Sequence, residues 1–102
     1  MVFIESPLFS RLLPEHLGDE EYAAFQWALT IHPEAGVLIP GSGGVRKVRW
    51  GAEGRGKRGG LRVIYYWKTA RNEIWLLTVY DKHEVENIQA HVLKALREEL
   101  LS

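Results

Sequence analysis

The chain has 102 residues, 46% of them hydrophobic and none of them cysteine. That is enough for one compact domain, residues 1–102, and it excludes a disordered chain, a disulfide scaffold and any thiolate nucleophile or cysteine-ligated zinc. Thirteen basic residues balance thirteen acidic ones, so the formal net charge is zero, a balance that by itself argues against a nucleic-acid binder.

Val2-Phe3-Ile4 reads as a short strand closed by Ser6-Pro7. Residues 7–13 are predicted to form a short helix, with Pro7 in its first turn and Pro14 after it. Residues 19–32 are a clearer helix. Asp19 is expected as its cap, Glu20 and Glu21 suit its first turn, and Tyr22, Phe25 and Leu29 recur at helical spacing, widened by Ala24, Ala28 and Ile31. Residues 33–44 read as a turn-rich connection of prolines and glycines. Three strands are expected next, Val45–Trp50, Leu61–Trp67 and Ile74–Tyr80, paired antiparallel. The first two are separated by a loop rich in glycine, arginine and lysine, and the last two by a hairpin turn at Lys68–Glu73. Asp81 and Glu84 form a capping-box pattern, which predicts a final helix running from there to the end, with Val85, Ile88, Val92, Ala95 and Leu96 as its apolar stripe. The fold class is α+β: an antiparallel sheet with helices segregated upon it. No apolar run reaches the ~18 residues of a membrane span. The opening Met1–Pro7 lacks the charged lead and apolar centre of a secretory signal, so a cytoplasmic protein is expected.

Charge along the chain is far from uniform. Residues 1–45 hold one basic and six acidic residues; residues 46–68 hold eight basic and one acidic; the remainder hold four basic and six acidic. Strand alternation puts Lys47 and Arg49 on one face of their strand, with Arg46, Val48 and Trp50 on the other. On the next strand Arg62, Ile64, Tyr66 and Lys68 share a face. One register therefore gathers Lys47, Arg49, Arg62 and Tyr66, although like charges on neighbouring strands repel. Such a cluster suits a polyanion, with phosphodiester as ligand and Tyr66 as a stacking surface for a base. The plain alternative is a solvated face, which is the better account of the loop residues Arg55, Lys57 and Arg58 taken alone. The glycine-rich stretches read as turns, since neither precedes a helix with a Gly-Lys-Ser/Thr sequence. The four histidines, His16, His32, His83 and His91, have no metal-ligand spacing, so no metal or other cofactor is expected. His83, between Lys82 and Glu84 at the end of the last strand, is a candidate general acid or base; a surface histidine is the alternative.

Three runs together, Pro40-Gly-Ser-Gly-Gly-Val-Arg-Lys-Val-Arg-Trp50, Gly54-Arg-Gly-Lys-Arg-Gly-Gly-Leu-Arg-Val-Ile-Tyr-Tyr-Trp67 and Leu76-Leu-Thr-Val-Tyr-Asp-Lys-His-Glu84, resemble HigB-like toxins of the RelE/ParE superfamily, the toxins of type II toxin–antitoxin pairs. Phe3–Pro7 and Asp19–Tyr22 also fit, so the resemblance spans nearly the whole chain. It implies a compact sheet with two N-terminal helices and a C-terminal one. It also implies a ribosome-dependent endoribonuclease that cuts translated mRNA by attack of the 2′-hydroxyl on its phosphate, without metal. Matched by motif, Lys47 and Arg49 are the basic pair of the first central strand, Arg62 the cation that stabilises the transition state, Lys82 the basic position after the last strand, and Glu84 the acidic one. RNA contacts are expected from Arg46, Arg55, Lys57, Arg58, Tyr66 and Lys68. The tyrosine that some relatives carry early in the last helix is missing from Val85-Glu86-Asn87-Ile88. Proton transfer is therefore open among His83, Glu84, Tyr66 and Tyr80. The implied partners are a HigA-like helix-turn-helix antitoxin, the ribosome with its mRNA, and operator DNA reached only through the antitoxin complex. Rival readings are a ParE-like gyrase poison, a non-catalytic RNA-binding module, and a small protein that binds a protein partner through its basic sheet.

Overall fold

The computed structural model describes residues 1–51, 60–84 and 87–101. The basic loop with Arg55, Lys57 and Arg58, together with Val85 and Glu86, lies outside the described residues. In chain order come strand β1 (Val2–Glu5), helix α1 (Pro7–Leu12), a 3-10 turn (Leu13–Glu15), helix α2 (Asp19–Ile31), strands β2 (Val37–Leu38), β3 (Val45–Trp50), β4 (Leu61–Lys68) and β5 (Glu73–Asp81), and helix α3 (Ala90–Leu101). The sheet order is β1-β5-β4-β3-β2. All neighbours run antiparallel except β1, which lies parallel to β5. The parallel pair is open to β1 because the long intervening chain supplies the crossover that a hairpin cannot.

Both faces of the sheet are covered. On the first, Phe9, Leu17, Phe25 and Leu29 from the N-terminal helices and their connection pack on Leu61, Val63, Tyr65, Ile74, Leu76 and Val79. On the second, Leu93, backed by Leu96 and Leu100, packs on Val45, Ile64, Leu77 and Tyr80. A central strand sandwiched between layers loses the alternation of a half-exposed one, and in β4 the consecutive residues Val63, Ile64 and Tyr65 are all buried. A β-bulge makes the two layers compatible. Ile64 pairs with Thr78 while Tyr65 pairs with Leu76, leaving Leu77 as the extra residue. The inserted residue resets the alternation of β5. Leu76 and Val79 thus share the first core, and Leu77 and Tyr80 the second.

Four expectations are corrected. The second helix is capped by Gly18 rather than Asp19, with the Glu21 carboxylate accepting from the Gly18 N–H (3.2 Å). Asp19 is instead the first helical residue, where its charge still faces the positive end of the helix dipole. In that helix Phe25 and Leu29 are buried as expected, but Ile31 is 60% exposed and Ala24 is exposed, because the core-facing stripe is narrower than the apolar spacing suggested. The turn-rich connection contains a two-residue strand, β2, paired with β3. Most consequentially, no helix starts at Asp81. Its carboxylate and that of Glu84 do close a reciprocal box, with Asp81 N–H to Glu84 Oε1 (3.2 Å) and His83 N–H to Asp81 Oδ1 (2.8 Å). The bonds close a turn at 82–84, and α3 begins at Ala90. Its buried residue is Leu93, while Val92 and Ala95 of the expected stripe are exposed.

Candidate functional site

The register of the three central strands builds a row of side chains. Arg49 of β3 stands directly opposite Arg62 of β4, and Arg62 stands opposite Tyr80 of β5. Directly opposed residues have Cα atoms about 4.5–5.5 Å apart, so two guanidinium-bearing residues and a phenol share one narrow strip. Lys47, two positions along β3 from Arg49, lies on the same face. Tyr80 reaches the row only through the bulge at Leu77. With unbroken alternation, Tyr80 would share a face with Leu76 and turn toward the N-terminal helices. Burial pushes the Tyr80 hydroxyl above its ordinary pKa, and the nearby Arg62 charge opposes that rise in part. The phenol is therefore protonated at neutral pH, with a cation beside it.

Adjacent to this row, β5 ends in the turn Asp81–Glu84. The Lys82 N–H donates to the Gly60 carbonyl (2.8 Å) and so fixes the turn beside the start of β4. Glu84 Oε1 lies 3.8 Å from Nε2 of His16, whose side chain is 11% exposed. His83 and Glu84 thus line a hollow of about 350 Å³ together with Glu15, His16 and Asp81. Among the described residues no three His, Asp or Glu side chains converge as metal ligands, and no helix is long and apolar enough to cross a membrane.

Other expected RNA-contacting residues lie apart from the row. Arg46 is on the opposite face, where its Nη1 donates to the carbonyls of Gly36 (2.7 Å) and Glu34 (3.3 Å). It clamps the chain leaving α2 onto β3. Tyr65 completes that clamp: its hydroxyl donates to the Pro33 carbonyl (2.6 Å) and accepts from the Gly36 N–H (2.9 Å). A Cβ at Gly36 would stand 2.9 Å from the Tyr65 ring, so only glycine allows this approach. Tyr66 shares a face with Arg62, but buried Ile64 intervenes, and Tyr66 sits beside α3 with the Arg97 guanidinium 4.4 Å over its ring. Arg97 Nη2 also donates to the Tyr66 hydroxyl (3.3 Å). One face of the expected stacking platform is thus already taken by a cation from the last helix. Lys68, at the far end of β4, lies 6.0 Å over Trp75.

Sequence reasoning missed Arg97. The signal was present: it directly follows Leu96 in the Leu93, Leu96, Leu100 spacing that seats α3 on the sheet, so its position borders the contact.

No family model matches the chain. Among solved structures it is similar to E. coli toxin RelE in the free state, there a double arginine-to-alanine variant. The TM-score is 0.57 at 16% identity, covering 94% of this chain and 95% of that one. The chain therefore has a RelE-like α+β fold, as expected from its motifs.

Proposed function

We propose that the chain is the toxin of a type II toxin–antitoxin pair and acts in the cytoplasm as a ribosome-dependent endoribonuclease on translated mRNA. The observation that carries this reading is the Arg49–Arg62–Tyr80 row across the central strands of a RelE-like sheet. In the proposed reaction the 2′-hydroxyl oxygen forms a bond to the adjacent phosphorus while the bond from phosphorus to the 5′-oxygen breaks. The products are a 2′,3′-cyclic phosphate and a 5′-hydroxyl. Charge on the non-bridging oxygens grows as the phosphorane forms. Arg62, with Arg49 and Lys47, holds positive charge and N–H donors where that growth occurs, the device that lowers the barrier most. Tyr80, held protonated beside Arg62, supplies the proton for the departing 5′-oxygen. Glu84 or His83, carried on the turn after β5, takes the proton from the 2′-hydroxyl, and Lys82 adds a cation at that end. A HigA-like helix-turn-helix antitoxin is the proposed neutralising partner, and operator DNA is reached through that complex.

The test is induction of the wild type and of Arg62→Ala in cells, with primer extension on translated messages. Discrete cuts inside codons with the wild type, absent with a folded Arg62→Ala variant, are the expected result. DNA damage without cuts would favour gyrase poisoning. Salt-dependent RNA binding without cuts would leave a binding module.

A further inference from the structure

A groove of about 380 Å³ runs beside the cationic row, between β2 and the segment that leads into α3. Lys47, which pairs with Val37 of β2, lines it. Val37, Ile39 and Pro40 make one wall and the Asn87–Gln89 segment the other. Three features of this lining belong together. The first is an open apolar wall: Val37 is 72% exposed, although it lies on a sheet strand. The second is a half-buried cation, Lys47, in the same lining. The third is a pair of exposed amide side chains, Asn87 and Gln89, each with one acceptor and two donors and no charge. A planar ligand with polar edges and one attached anion satisfies all three. A peptide's carboxylate and backbone amides could use the same groups, so the choice between peptide and nucleotide rests on continuity with the cationic row; a lipid would use the wall and leave the amides idle.

We propose that this groove is a base-recognition subsite that takes one unstacked nucleobase of single-stranded RNA. Lys47 holds the phosphate attached to that nucleotide, and Asn87 and Gln89 read the base edge. The proposal rests on the ribonuclease reading above and gives it a source of sequence preference. Single-stranded RNA is read by splaying bases out and bonding their edges, and paired amides make bidentate contacts with such edges. Continuity with the cleavage row supports the assignment. Lys47 and Arg49 are two residues apart on one strand face, roughly 7 Å by strand rise, so a base in the groove belongs to a nucleotide next to the phosphate held by Arg49 and Arg62.

The full-length chain is titrated with each of the four nucleoside 3′-monophosphates while amide ¹H–¹⁵N shifts are followed. Shifts at Val37, Ile39, Asn87 and Gln89 are expected, with one base bound about tenfold or more tighter than the weakest. The Asn87→Ala/Gln89→Ala variant is expected to bind all four alike, and Lys47→Ala to lose them all. The single Gln89→Glu variant, at an exposed position, repeats the test if the double variant fails to fold, and it is expected to change which base is preferred. Shifts confined elsewhere, or a base ratio unchanged in the folded amide variants, overturn the subsite. Failure of the two ideas is separable. A wild type that binds with base preference but cuts no translated message removes the ribonuclease reading and keeps the subsite. Cutting whose sequence preference survives the amide substitutions removes the subsite and keeps the ribonuclease.

Discussion

Arg62 is flanked in register by a cation on one strand and a phenol on the other. Arginines directly opposite one another are unfavourable in an ordinary sheet, and the arrangement becomes productive when a phosphate is placed between them. Removing one such donor from a preorganised site costs about 10²–10³ in rate, and Arg62→Ala is expected to lose cleavage by that factor while its melting temperature stays within a few degrees of the wild type. Single-turnover cleavage of a translated message checks it. Tyr22 makes a second prediction at this scale. Its hydroxyl donates to Glu5 Oε2 (2.6 Å), and burial first, then the Glu5 hydrogen bond and charge, raise its pKa. A raised pKa means that the unfolded chain loses this proton first as pH climbs. Stability from Tyr22 is therefore complete below the ordinary tyrosine value near 10 and is lost as pH rises beyond it. Tyr65, also raised mainly by burial, acts in the same direction. Denaturant melts from pH 8 to 11 are expected to show a fall above pH 10 that is smaller in Tyr22→Phe; an equal fall in both would refute the assignment to Tyr22.

Helix α3 is the element on which the second core depends, since Leu93 is its one fully buried side chain and seats on Val45, Ile64 and Leu77. Leu93→Ala is expected to cost about 2–5 kcal/mol by chemical denaturation. Arg97→Ala removes a cation–aromatic contact with Tyr66 and is expected to cost about 1 kcal/mol. The strands of this region were legible in the sequence because β-branched and aromatic residues cluster between turn signals, and β3 falls on Val45–Trp50 as read. The face shared by Lys47, Arg49 and Arg62 was legible for the same reason, through alternation alone. What alternation cannot show is a bulge, so the arrival of Tyr80 beside Arg62 was hidden by the extra residue at Leu77. The start of α3 was hidden by a different ambiguity. A carboxylate box at Asp81–Glu84 satisfies the backbone of a tight turn as well as that of a helix, and sequence spacing does not separate the two. The groove lined by Asn87 and Gln89 became visible only once the turn replaced the expected helix.

Across the whole molecule, zero net charge does not mean zero field. Among the described residues the cations between 46 and 68 lie on the central strands β3 and β4, and charges further than the ~8 Å screening length at physiological salt contribute little to their field. RNA affinity is accordingly expected to fall with salt. The slope of log K against log salt for a single strand should be near −2 for the three strand cations, at ~0.7 per phosphate, and shallower by about one unit or less in Arg49→Ala. Fluorescence anisotropy with a short oligonucleotide measures it. The parallel edge strand carries a consequence for how the molecule forms. Val2 pairs with Glu73, whereas Arg49, Arg62 and Tyr80 are joined by two antiparallel pairings between sequence neighbours. Closing long loops is slow relative to zipping hairpins, so the three-stranded meander is expected to assemble first and β1 to dock late with α1. During folding the cationic row is therefore expected to form before the β1 edge is sealed, and a partner present at that moment would meet a sheet with one edge still open.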